Sequence, residues 1–173
     1  MATVTVANIL IGAATLKVDG VDVGAISGGL ALAKATDVYA IEVDNVRAPV
    51  KHIPVKESFS VKTNLAEATL ENLRIVWNTP ASKLDNNPAE LNADAKLQIG
   101  LSTGIVEHTL EATGVAPSGL TRVYRTYRAI SVRAAEHAYL RTKETLLPVE
   151  FDILPDLSKA AGEELGTVPD YNF

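Results

Sequence analysis

Three histidines, His52, His108 and His137, are the side chains best suited to metal or proton chemistry, because the chain has no cysteine to supply a thiolate. None stands at a spacing that would cluster it with another His, Asp or Glu on one helix face. His108 and His137 each follow a glutamate (Glu107 and Glu136), and neighbours in a strand point to opposite faces. The spacing therefore predicts no metal site. Gly20, Gly24, Gly28 and Gly29 are followed by neither a Lys-Ser/Thr pair nor a helix, so they read as turn residues and not as a phosphate loop. No Gly-x-Ser-x-Gly elbow is present. The carboxylate pairs Asp19/Asp22, Glu42/Asp44 and Glu150/Asp152 have the chemistry for acid–base work, but each reads more simply as the solvated face of an amphipathic strand. The expectation is a non-enzyme with no catalytic residues, no metal and no cofactor.

Four arginines, Arg122, Arg125, Arg128 and Arg133, fall within twelve residues. They admit three readings: contact with nucleic acid, solvated charge, or ion pairing across a subunit interface. The third is preferred. The net charge is −5 and the pI about 5.2, whereas tight nucleic-acid binding draws most of its affinity from a basic surface.

The elements that would position these groups are mostly strands. At 173 residues and 47% hydrophobic, the chain is long enough for one domain with a real core. No run approaches the roughly 20 apolar residues of a membrane span, and the N-terminus lacks the basic region of a signal peptide. The expectation is a soluble chain made in the cytoplasm. Residues 1–13 read as an arm. Residues 14–26 read as a hairpin turning at Asp19-Gly20, a type I′ signal that pairs Lys17 with Asp22, Val18 with Val21 and Leu16 with Val23. Its predicted core face is Leu16, Val18, Val21 and Val23. Leu30–Lys34 and Val38–Val43 read as two further strands, and 44–52 as a loop. Ile53–Thr63 alternates cleanly and predicts a half-buried strand with Ile53, Val55, Phe59 and Val61 inward. A helix is expected over 66–77, capped by Thr63 or Asn64, with Glu67 in its first turn and Trp77 as a core anchor on the Leu70, Leu73, Val76 stripe. Residues 78–94 read as a long loop, and 96–101 and 105–112 as strands. Leu120–Val132 reads as a strand with no clean apolar face. Residues 133–145 fit a short helix or a bent strand. Leu147–Leu154 is the last strand, and 157–173 a polar tail with one helical turn near Ser158–Leu165. Without a βαβ rhythm, the fold class is mainly β: an antiparallel sandwich or barrel of about eight strands with one flanking α-helix.

Three landmarks in serial order carry a resemblance: the hairpin GAATLKVDGVDVGAISGG (12–29), the strand-to-helix segment ESFSVKTNLAEATLENLRIVW (57–77) and the closing strand ETLLPVEFDILPD (144–156). Over roughly residues 10–156 the chain resembles the major tail tube proteins of tailed bacteriophages. The resemblance implies a β domain over 14–156, completed into a ring barrel when six copies join their sheets. Rings stack into a tube that conducts the genome. It implies a homohexamer, with tape-measure protein and viral DNA in the lumen, a sheath protein where the tail contracts, no membrane partner, and a place in the virion tail. On this basis Asp19, Asp22, Glu42, Asp44, Glu150 and Asp152 are candidates to line the lumen, while Lys56 and Lys62 weigh against placing their strand face there. Arg122, Arg125, Arg128 and Arg133 are candidates for the subunit interface. Stacking is expected to use the N-terminal arm, the 44–53 and 78–95 loops and the tail. The alternatives are the tube of a contractile injection or secretion system, or a monomeric β-sandwich binding module.

Overall fold

The computed structural model describes residues 12–85, 95–100, 104–131, 138–139, 141–142 and 144–172. Arg133, His137 and nearly all of the predicted N-terminal arm lie outside them.

The hairpin forms as its turn residues dictate. Asp19 and Gly20 both take positive φ, 53° and 80°, and join β1 (Thr15–Val18) to β2 (Val21–Asp22) with Lys17 opposite Asp22 and Val18 opposite Val21. Leu16, Val18 and Val23 are buried, but Val21 is 56% exposed. Strand β2 is the outer edge of the sheet, so Val21 projects past the core that covers Val18.

The two short strands expected over 30–43 are one, β3 (Ile26–Ile41), paired along its length with β4 (Lys51–Leu65). Gly28 and Gly29, at φ +77° and +82°, lie in a register shift near the start of β3. A second shift leaves Val55 as the extra residue between Lys56, opposite Asp37, and Pro54, opposite Val38.

Helix α1 (Leu70–Val76) is shorter than predicted. Its cap is Thr69, whose Oγ1 accepts from the Asn72 N–H at 3.1 Å. The predicted caps are used elsewhere: β4 runs through Thr63 and Asn64, and the Glu67 carboxylate accepts from the Ala25 N–H at 2.9 Å. Asn78, at φ 50°, ends the helix, and the N–H groups of Asn78 and Thr79 bond back to the carbonyls of Ile75 and Arg74. This left-handed close suits Asn. It turns Trp77 outward to 39% exposure, so Trp77 is not a core anchor.

Strands β5 (Leu84–Asp85) and β6 (Lys96–Leu97) pair with each other as a separate ladder. The main sheet continues with β7 (His108–Val115), β8 (Thr121–Ser131) and β9 (Leu147–Leu154). Its order is β2-β1-β7-β8-β9-β4-β3, with every pairing antiparallel. Leu30 and Leu32 of β3 line a pocket with Ala112–Val115 of β7, so strands far apart in the order face each other and the sheet rolls over on itself. Phe151, Leu16, Leu65 and Leu147 are fully buried at the centre, and α1 adds Leu73, Ile75 and Val76. The architecture is the expected one, mainly β with one α-helix among the described residues. No helix among them is long and apolar enough to cross a membrane.

A register shift in β8 opposite His108–Leu110 explains its mixed faces. It separates buried Thr126 from buried Ala129 and Ser131 by an odd step, so no single alternation runs through the strand. Val123 is buried as well, next to the tail. The tail is not a helical turn: residues 156–164 form a series of turns, and β10 (Gly166–Thr167) and β11 (Asp170–Tyr171) pair with β8 where β9 does not reach. This strap belongs to the same sheet as the domain it follows.

Candidate functional site

The six candidate lumen acids do not share a face. Asp19 turns inward. Its Oδ2 lies 2.7 Å from His108 Nδ1 and its Oδ1 accepts from the Thr109 N–H at 2.8 Å. Partial burial acts to raise its pKa, but the hydrogen bonds from His108 and Thr109 and the charge of Arg74 outweigh it and hold the carboxylate below its ordinary value. Asp22 accepts from the Gly24 N–H at 2.9 Å, capping the exit of the hairpin. Glu42 and Asp44 are exposed at the far end of the β3–β4 hairpin. Glu150 and Asp152 face outward from β9, and Glu150 pairs with Lys62 at 2.9 Å, its register partner. The face of Lys62 and the face of Glu150 are therefore one face, and cannot be assigned to opposite sides of a wall.

Among the described residues, the Asp19–His108 contact is the one hint of catalytic geometry. An ionised carboxylate only accepts, so His108 Nδ1 donates to it. Orienting an imidazole in this way is half of a nucleophilic triad. Here, however, Nε2 is buried with no hydrogen-bond partner, so among the described residues no nucleophile meets it. Nor do three His, Asp or Glu residues gather as a metal site among the described residues.

The described arginines of β8 find partners within their own chain. Arg122 grips Asp170 of the strap with two bonds, Nε to Oδ1 at 2.7 Å and Nη2 to Oδ2 at 2.8 Å. That pairing raises the guanidinium pKa and lowers the carboxyl pKa. Arg125 donates to Glu111 at 2.9 Å and to the Tyr171 hydroxyl at 3.2 Å. Arg128 donates to both Glu107 oxygens, at 2.7 and 2.6 Å, and to the Pro155 carbonyl. Within one chain, Glu107, Glu111 and the strap thus supply these cations with partners, which a reading that left the tail free does not reveal.

What the sequence pattern missed is an arm. Strand β9 pairs with β4 only over Ser60–Leu65, so among the described residues the outer lengths of β3 and β4 form a two-stranded ribbon with no further strand. Seven large apolar residues there are exposed: Val38, Tyr39, Val43, Val46, Val50, Ile53 and Val55. Ile53 and Val55, predicted inward, are 40% and 68% exposed. Alternation showed the strand but not where the core beneath it ends. The available signal was length, since two alternating segments flanking a nine-residue loop make a long hairpin, with strands of 16 and 15 residues. Pro54, the bulge at Val55 and Lys51 and Lys56 are devices that discourage edge-to-edge pairing, so the arm offers its side chains and not its backbone. No protein-family model and no curated protein matches the sequence.

Proposed function

We propose that the chain is a self-assembling structural subunit of the phage tail tube kind, forming stacked rings whose lumen conducts the genome. The arm carries this reading. A two-stranded ribbon is at best marginally stable alone in water, and clustered exposed apolar side chains mark an interaction surface. Neighbouring copies that cover Tyr39 and Ile53 on one face of the ribbon and Val38 on the other resolve both. The loop expected to stack rings, 44–53, overlaps the tip of this arm, and the acidic balance of the chain suits a conduit that must not hold phosphate. The tube of an injection or secretion system rests on the same assembly.

Negative-stain microscopy and sedimentation of the purified chain test it. Rings or tubes with a central hole are expected. Replacing residues 37–56 with Asn-Gly, a two-residue turn between the register partners Thr36 and Glu57, is expected to abolish them while leaving the circular dichroism of the domain intact. A wild-type chain that stays monomeric at high concentration refutes the proposal.

A further inference from the structure

A groove of about 160 Å³ runs between the base of the arm and the strap, walled by Phe59, Tyr124, Leu165 and Val168. Lys34 and Arg125, each about half exposed, flank it. Thr126 also lines it, 6% exposed, with an Oγ1 that has no hydrogen-bond partner among the described residues. Buried hydroxyls without a partner are uncommon. An apolar cavity of about 150 Å³ holds a benzene ring, so the groove has the size for one aromatic side chain. The buried hydroxyl suits a ring with a polar tip.

The same chain displays such a ring. Tyr39 on the arm is 63% exposed, opposite Ile53. Near it on β3 and at the tip stand Asp37, Glu42 and Asp44, all exposed, while Lys51 and Lys56 lie across the ribbon on β4. The outer β3 strand thus carries acids and the outer β4 strand lysines, with Arg47 at the tip between them, and the acids are opposite in sign to Lys34 and Arg125. Those cations bond Glu57 and Glu111 at 3.2 and 2.9 Å, but both pairs are exposed and remain open to a second carboxylate. Tyr39 cannot fill the groove of its own chain. It lies five residues beyond Lys34 along a paired strand, about 17 Å at the usual rise.

The geometry points to a seat: Tyr39 of one copy enters the Phe59–Thr126–Leu165 groove of another, with its flanking carboxylates over Lys34 and Arg125. This rests on the self-assembly reading above and adds the contact that would link the copies. The chain has no cysteine, so the double variant Tyr39→Cys/Val168→Cys reports the contact directly. Oxidation is expected to yield a ladder of disulfide-linked copies beyond the dimers that either single variant can form. Rings or tubes in the same sample without that ladder overturn the seat and leave assembly standing. A wild-type chain that sediments only as a monomer overturns both. Tyr39→Phe and Thr126→Val are each expected to raise the concentration needed for assembly about 2- to 10-fold, and the double variant no further than either alone. Full additivity overturns the hydroxyl contact.

Discussion

Gly166→Ala tests whether the C-terminal strap is a built part of the sheet. Gly166 has φ +148°, and a Cβ there would collide with the Arg125 carbonyl oxygen and stand 3.2 Å from Thr126 Cα. Both obstacles are backbone of β8, held on its other edge by β7, so β8 cannot give way. Two responses remain. The strap can keep its register and bear the strain, which for a conformation essentially reserved to glycine costs about 1–3 kcal/mol. Alternatively it can lift, uncovering Val123 and releasing Leu165, worth about 1.5–3 kcal/mol per fully buried side chain and offset by about 1–2 kcal/mol per residue of recovered backbone freedom. The exposed ion pair to Arg122 adds little to the balance. The cheaper route sets the outcome, so the loss is about 1–3 kcal/mol, or about 2–10 °C in Tm for a chain of this size. Lys159 is the only trypsin site in the strap, and that loss is about a 5- to 150-fold rise in the open population. Cleavage at Lys159 is therefore expected to quicken at least about fivefold, while Gly100→Ala, whose Cβ would meet nothing within 4 Å, leaves it unchanged. A Gly166→Ala protein with wild-type Tm and wild-type Lys159 cleavage refutes the strap as described.

Three further outcomes follow from the same geometry. Asp19→Asn is expected to cost about 1–3 kcal/mol in chemical denaturation. Because the fold depresses the Asp19 pKa, that contribution is complete above the ordinary carboxylate value and fades as pH falls through the folded one, so wild type and variant converge only in strong acid; a constant gap down to pH 2 would exclude the linkage. Asn78→Gly keeps the left-handed close of α1 and loses the paired bonds to Val106, at 3.0 and 2.7 Å, whereas Asn78→Ala loses both and is expected to be less stable by a further 1–2 kcal/mol or about that. Equal melting temperatures would count against the backbone role. Arg122→Gln is expected to leave Tm nearly unchanged but to speed Lys159 cleavage, and added salt should speed cleavage of the wild type in the same way; salt-independent cleavage would remove the role of the Arg122–Asp170 pair.

Much of the local structure was legible in the residues alone. Asp19-Gly20 specifies its own turn because positive φ at both centres is a property of those two residues, and the register Lys17–Asp22 follows from it. Leu147–Leu154 was legible because strict alternation over a single core needs no further information. The candidate surfaces were less so. Asp19 was read as a lumen acid because nothing near it in sequence announces His108, 89 residues away, and the arginines were given to a neighbour because Asp170 lies 48 residues from Arg122.

By itself, the sequence determined the types of the long central elements, the antiparallel β class and the first turn, all set by short-range periodicity and backbone preference. Only the tertiary structure decided which alternating residues are covered. β9 stops pairing at Ser60, leaving Ile53 and Val55 in water. The strap fills the edge that β9 leaves on β8 and takes Arg122 with it. Burial depends on what the rest of the chain brings opposite a residue, and alternation along one strand does not carry that information.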